Sequence, residues 1–170
     1  GQYSVRQQNA IAGPSECTNC LAGWFNTAGG LASCLPCAAG TFNTEPGSTK
    51  CVDCPAGEYG TGGTGCQPCP SGHYSANPGS VQCLECPAGK YSALSSKSTK
   101  CVQCEKGKFG AIPLQHQCFN CTAGGISAAE GAVGCAPCKV GKYVALDGMS
   151  ECLQCDAGWY QPQEGKMECT

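Results

Sequence analysis

The chain is short of almost everything a conventional core is built from. Leu, Ile, Val and Phe supply only 22 of its 170 residues. That is too few to fill the interior of a domain this long with aliphatic side chains. It is short of charge too: 13% of residues are charged and the net charge is −2. Low hydrophobicity joined to high net charge would mark disorder, but here the charge is missing. A near-neutral balance also removes the attraction used by nucleic-acid and membrane-surface binders, so no nucleic-acid partner is expected. No apolar run is long enough to span a bilayer, so no membrane insertion is expected in this segment. No charged and apolar leader precedes Gly1; any leader is expected to be removed or to lie outside these residues.

What the chain has instead is 19 cysteines and 25 glycines. That cysteine density marks a disulfide scaffold, in which covalent staples stand in for burial.

The cysteines come in pairs three residues apart: Cys17/Cys20, Cys34/Cys37, Cys51/Cys54, Cys66/Cys69, Cys83/Cys86, Cys101/Cys104, Cys118/Cys121, Cys135/Cys138 and Cys152/Cys155. Cys169 begins a tenth. First cysteines are 17 apart, except for one step of 15 and one of 18. A repeat of this kind is the first thing to establish about a fold. Three residues after each pair comes a glycine, from Gly23 and Gly40 to Gly158, and two residues later an aromatic. Ile126 alone replaces that aromatic. A second glycine falls four residues before most of the following pairs, as at Gly47, Gly79, Gly131, Gly148 and Gly165; Lys97 and Leu114 break the rule.

These spacings predict a hairpin. The first glycine turns the chain out of the cysteine pair with a positive φ. A short extended segment carries the aromatic, which is expected to cover the seam to the next layer. Pro46-Gly47 or Pro78-Gly79 forms the tip, as suits a type II turn. No window shows a helical apolar period, and glycine at this density opposes one. Pro36, Pro68 and Pro137 precede the second cysteine only in alternate pairs, which suggests a two-repeat unit of about 34 residues. The fold class expected is small, disulfide-rich and mostly β or irregular: an elongated rod of tandem one-disulfide β-hairpins with almost no helix. Residues 1–170 read as one continuous array of about ten 17-residue repeats. Gly1-Gln2-Tyr3-Ser4 resembles the start of a spacer, and the chain stops inside a pair, so it reads as a section of a longer chain. The first spacer is expanded around Val5 to Ala12.

Three chemistries suit paired cysteines. Disulfide bonding has two regular schemes. In the preferred one the second cysteine of each pair bonds the first of the next: Cys20–Cys34, Cys37–Cys51, Cys54–Cys66, Cys69–Cys83, Cys86–Cys101, Cys104–Cys118, Cys121–Cys135, Cys138–Cys152 and Cys155–Cys169. It repeats by translation and leaves only Cys17, which would bond upstream or to another molecule. The other scheme joins first to first and second to second, as in Cys34–Cys51 with Cys37–Cys54. It yields separate knots, and sequence leaves both open. Zinc needs two such pairs, usually across a slightly longer spacer. Redox catalysis needs one activated pair at a helix start, which is not found here. No metal or other cofactor is expected.

Cys54-Pro55-Ala56-Gly57-Glu58-Tyr59 and Cys86-Pro87-Ala88-Gly89-Lys90-Tyr91-Ser92 resemble the cysteine-rich repeats of the ephrin-receptor-like type, within the growth-factor-receptor cysteine-rich group. The resemblance covers nearly the whole chain. Ile126, Glu105, Thr122, Lys139 and Asp156 depart from the motif. It implies an extracellular or cell-surface, disulfide-bonded module reached through the secretory pathway, and leaves its role open.

Nothing suggests an enzyme. His73 and His116 stand in different repeats without triad partners, and Asp53, Asp147 and Asp156 lack the spacing of a calcium loop. Asn120-Cys121-Thr122 is an N-glycosylation sequon, so a glycan at Asn120 is one expectation. Trp24 and Trp159 are candidate contact residues. Lysines cluster at Lys90, Lys97, Lys100, Lys106 and Lys108, and acids at Asp147, Glu151, Asp156, Glu164 and Glu168. The reading is a non-catalytic extracellular structural protein: a spacer, surface coat or self-associating filament subunit. The alternative is a receptor or adhesin ectodomain that binds a protein ligand.

Overall fold

The computed structural model describes residues 2–4, 17–27, 33–93 and 97–170. The expanded first spacer and the side chain of Cys17 lie outside the described residues. Among the described residues there is no helix. Eighteen short strands among the described residues form nine antiparallel two-stranded sheets, each a single hairpin. The chain divides into two units. One contains Gly1–Cys69, Ser75–Cys83 and Lys97–Thr99; the other contains Pro70–Tyr74, Leu84–Ser96 and Lys100–Thr170.

The local code is the same in both. After each cysteine pair a four-residue turn closes with a hydrogen bond, as from Trp24 N to Leu21 O at 3.0 Å and from Lys108 N to Glu105 O at 3.0 Å. Its third residue is the first repeat glycine, at φ +83° in Gly23 and +81° in Gly107. A positive φ at that place is the type II geometry. A two-residue strand follows and pairs with the two residues inside the next cysteine pair. Trp24–Phe25 pairs with Leu35–Pro36, and Lys108–Phe109 with Phe119–Asn120. Strands with and without the alternate proline pair alike: Trp24 faces Pro36 and Thr41 faces Asp53. The alternate proline therefore leaves the register of the hairpin unchanged.

Successive hairpins are joined by backbone hydrogen bonds. In the second unit, Gly107 N donates to Ser127 O (2.8 Å), Gly110 N to Ala132 O (2.9 Å), and Gly131 N back to Cys104 O (2.7 Å). The first unit repeats this with Gly23 to Asn43, Asn26 to Ser48, and Gly47 back to Cys20. Amides that a thin hairpin could not pair by itself are thus satisfied by the next hairpin. Contacts also reach two repeats ahead. A Cβ on Gly107 would overlap the carbonyl oxygen of Gly148. At Gly107 the first repeat glycine is therefore required twice over, by its φ and by a neighbouring backbone.

The core is made of sulfur. Cys20, Cys54, Cys86, Cys104, Cys121 and Cys138 are fully buried, and Val144 is the one buried aliphatic residue among the described ones. The aromatic expected to cover the seam is only half-buried, as at Phe25, Phe42, Tyr59, Tyr91 and Phe109. The residue after it is buried instead: Asn26, Asn43, Ser75, Ser92, Ser127 and Gln161. Each polar group among these has a partner. Asn43 Nδ2 donates to Trp24 O (3.1 Å) while its Oδ1 accepts from Gly23 N (2.8 Å). Ser92 Oγ donates to His73 O (2.9 Å), and Gln161 Nε2 to Glu168 O (2.7 Å). Such bonding removes the cost of burying them.

Candidate functional site

The chemistry-bearing residues are the cysteines. Nine disulfides join Cys20–Cys34, Cys37–Cys51, Cys54–Cys66, Cys69–Cys83, Cys86–Cys101, Cys104–Cys118, Cys121–Cys135, Cys138–Cys152 and Cys155–Cys169. Their Cα atoms lie 5.6 to 5.8 Å apart, within the range that a bridge needs. Each bond closes its own hairpin, so the two sulfurs of one pair serve neighbouring hairpins. Among the described residues, no group of three or more His, Cys, Asp or Glu side chains is placed to hold a metal ion.

The remaining sequence-predicted residues are scattered. His73 is half-buried, with Nδ1 3.1 Å from Ser71 O, and His116 is exposed; among the described residues no carboxylate or nucleophile is bonded to either. Asn120 is exposed and ends the strand Phe119–Asn120. Trp24 and Trp159 are 44% and 61% exposed. Both follow the first repeat glycine, the position held elsewhere by Thr41, Glu58, His73 and Lys90. Ile126 pairs with Ala136 as the aromatics pair with their partners.

Two ion pairs form among the described residues. Lys108 approaches Glu105 at 3.5 Å on an exposed turn. Lys97 pairs with Glu58, whose side chain is almost wholly buried. Lys97 is one of the two residues that stand where a tip glycine is expected.

A cleft of about 460 Å³ lies within one hairpin, lined by Phe42 to Lys50 and Val52, and two smaller ones follow the repeat. One, of about 230 Å³, is lined by Tyr91, Glu105, Lys108, Gln117 and Cys118. Another, of about 190 Å³, is lined by Tyr143, Asp156, Trp159, Glu168 and Cys169. The two sets occupy identical repeat positions: an aromatic, two turn residues of the next hairpin, and the cysteine after that with its preceding residue. This is one recurring groove with changing side chains.

A further pattern went unread in the sequence. The residue after the first cysteine of a pair is large, apolar and exposed in six repeats: Leu35, Val52, Leu84, Val102, Phe119 and Leu153. Each lies across its hairpin from the repeat aromatic, as Phe119 does from Phe109, with ring centroids 6.3 Å apart. Its signal is simple, an apolar residue at a fixed place inside the cysteine pair.

A family model described as tyrosine-protein kinase ephrin type A/B receptor-like matches residues 7–54, 26–65, 57–93 and 141–170, together more than half of the chain. No curated protein matches the sequence. The described residues of the matched stretches form the glycine-turned, disulfide-closed hairpins set out above, and the chain belongs to the ephrin type A/B receptor-like family of cysteine-rich repeats.

Proposed function

We propose that this chain is a non-catalytic extracellular structural protein. It acts as a disulfide-stapled rod serving as spacer, surface coat or filament subunit, built as one continuous array. The observation that carries this reading is the sameness of the repeats. Two of the surface clefts recur at one set of positions, and among the described residues no repeat brings three or more His, Cys, Asp or Glu side chains together. Eighteen cysteines in disulfides suit an oxidising compartment such as the cell exterior. Among the described residues, no helix is long and apolar enough to cross a membrane. The second reading is a receptor or adhesin ectodomain. The family match favours it, and the exposed Trp24 and Trp159 would then be contact residues.

Electron microscopy of native material separates the two. Ordered assemblies with this array as subunit are expected; isolated monomers that bind a soluble protein ligand would overturn the structural reading. The sequential disulfide pairing is proposed as the native connectivity, with Cys17 bonded outside this array. Peptide mapping without reductant should recover Cys37–Cys51 and Cys104–Cys118 linkages. Recovery of Cys34–Cys51 with Cys37–Cys54 would replace the scheme. A glycan on Asn120 would show in the same map as a mass shift.

A further inference from the structure

The apolar row runs exposed through the second unit. There it comprises Leu84 (53% exposed), Val102 (46%), Phe119 (47%), the exposed Ala136, and Leu153 (49%), one per hairpin in five consecutive repeats. A single exposed leucine is ordinary, but a row at one repeat position is a surface. The half-buried Tyr74, Tyr91, Phe109, Ile126 and Tyr143 lie across the strands from it and widen it.

Charge along the row is divided. Lys100 stands two residues before Val102, and Glu151 two residues before Leu153; both are exposed. Lys106 and Lys108 share the first half with Lys100. Asp156, Glu164 and Glu168 share the second half with Glu151, so the halves differ in net sign although Glu85 and Glu105 stand in the first and Lys139, Lys142 and Lys166 in the second. Among the described residues neither Lys100 nor Glu151 forms an ion pair.

We infer that this row is the contact between two copies of the chain, packed antiparallel about a two-fold axis between the Phe119 and Ala136 hairpins. In that register Val102 meets Leu153 of the second copy, the large Phe119 meets the small Ala136, and Lys100 meets Glu151. Every contact occurs twice, as two-fold symmetry requires. A parallel arrangement would set lysines against lysines. A partner without this repeat could not match one apolar residue per hairpin over the four hairpins from Val102 to Leu153. Asn120 points to the opposite side of its strand from Phe119, so a glycan there leaves the contact clear.

The inference deepens the self-association in the structural reading and rests on it. The test is sedimentation of the oxidised 170-residue chain, with disulfides verified by peptide mapping in every variant. A concentration-dependent dimer is expected. Phe119→Asp should raise its dissociation constant at least tenfold, and the milder Val102→Thr severalfold. Lys100→Glu and Glu151→Lys should each weaken it severalfold, and the two together should restore it, because reversed charges still attract. A chain that remains monomeric at millimolar concentration overturns the inference, as does a dimer indifferent to Phe119→Asp. A double charge reversal weaker than either single one overturns the antiparallel register. Filaments that persist with Phe119→Asp would sink the apolar row but leave the structural reading standing. Dimers without any higher assembly would do the reverse.

Discussion

Gly148 and Leu114 occupy the same place in two hairpins of one unit, and only one of them is a glycine. Both have positive φ, +75° at Gly148 and +66° at Leu114. Both donate their amide to the buried cysteine of the preceding repeat, Gly148 to Cys121 O at 2.7 Å and Leu114 to Cys86 O at 2.9 Å. Both place their carbonyl where a Cβ two repeats back would be, at Gly107 and Gly72. The backbone ladder thus dictates the conformation, and the side chain tolerates it. In Leu114 this means a branched residue held in the left-handed region, a strained arrangement. Lys97, at the same place in the other unit, adds an ion pair with Glu58.

The sharpest way to break the comparison is to remove its frame. Replacing Cys121 and Cys135 together with serine should cost about 3 kcal/mol, the chain-entropy value for a loop of that size. Urea unfolding without reductant measures it. Amides of that hairpin and its neighbours should lose protection from hydrogen exchange before those of distant hairpins, since repeats couple to nearest neighbours.

The glycines come next. Gly107→Ala should cost about 2 to 4 kcal/mol, because strain and overlap with Gly148 add. Gly141 has φ +78° but nothing within 4 Å of a Cβ. Gly141→Ala should therefore cost only about 1 kcal/mol, the strain alone. Equal losses would mean that close backbone approach contributes nothing.

Leu114→Gly should raise stability by up to about 1 kcal/mol, and Gly148→Leu should lower it by a similar amount. Urea midpoints of the two variants check the sign. The smallest effect is expected at Lys97→Met, below about 1 kcal/mol, because the lysine is largely exposed and screened by solvent. High salt should shrink the difference from the native chain.

Much of the hairpin was legible from residue types. Gly23 and Gly107 announce their turns because nearly every other residue resists that φ. The tip glycines do so too, and Leu114 stood out by breaking their pattern. The buried position after the aromatic was not legible. Asn26, Ser92, Gly110, Val144 and Gln161 share no polarity, since the site is defined by backbone hydrogen bonds and adjacent sulfur. The apolar row was written in plain residues at Leu35, Val52 and Phe119, but lay inside the cysteine pairs, where attention goes to sulfur. The contact of Gly107 with Gly148 leaves no sequence trace beyond the glycine itself, because its partner is a carbonyl oxygen that every residue carries.

The sequential disulfides also set what the chain does under tension. Pulled from its ends, the force crosses from Cys37 to Cys51 through the bond, their Cα atoms 5.7 Å apart, and bypasses the residues between. Only the short run from Cys34 to Cys37 then remains to be straightened in that repeat, about 10 Å of chain. A fully unravelled array would therefore stay short while its bonds last. Breaking one bond would release the 14-residue separation from Cys37 to Cys51 in a single step. That is roughly 45 Å of slack. The molecule would yield in discrete increments set by a reductant, with the hairpin as its unit of give.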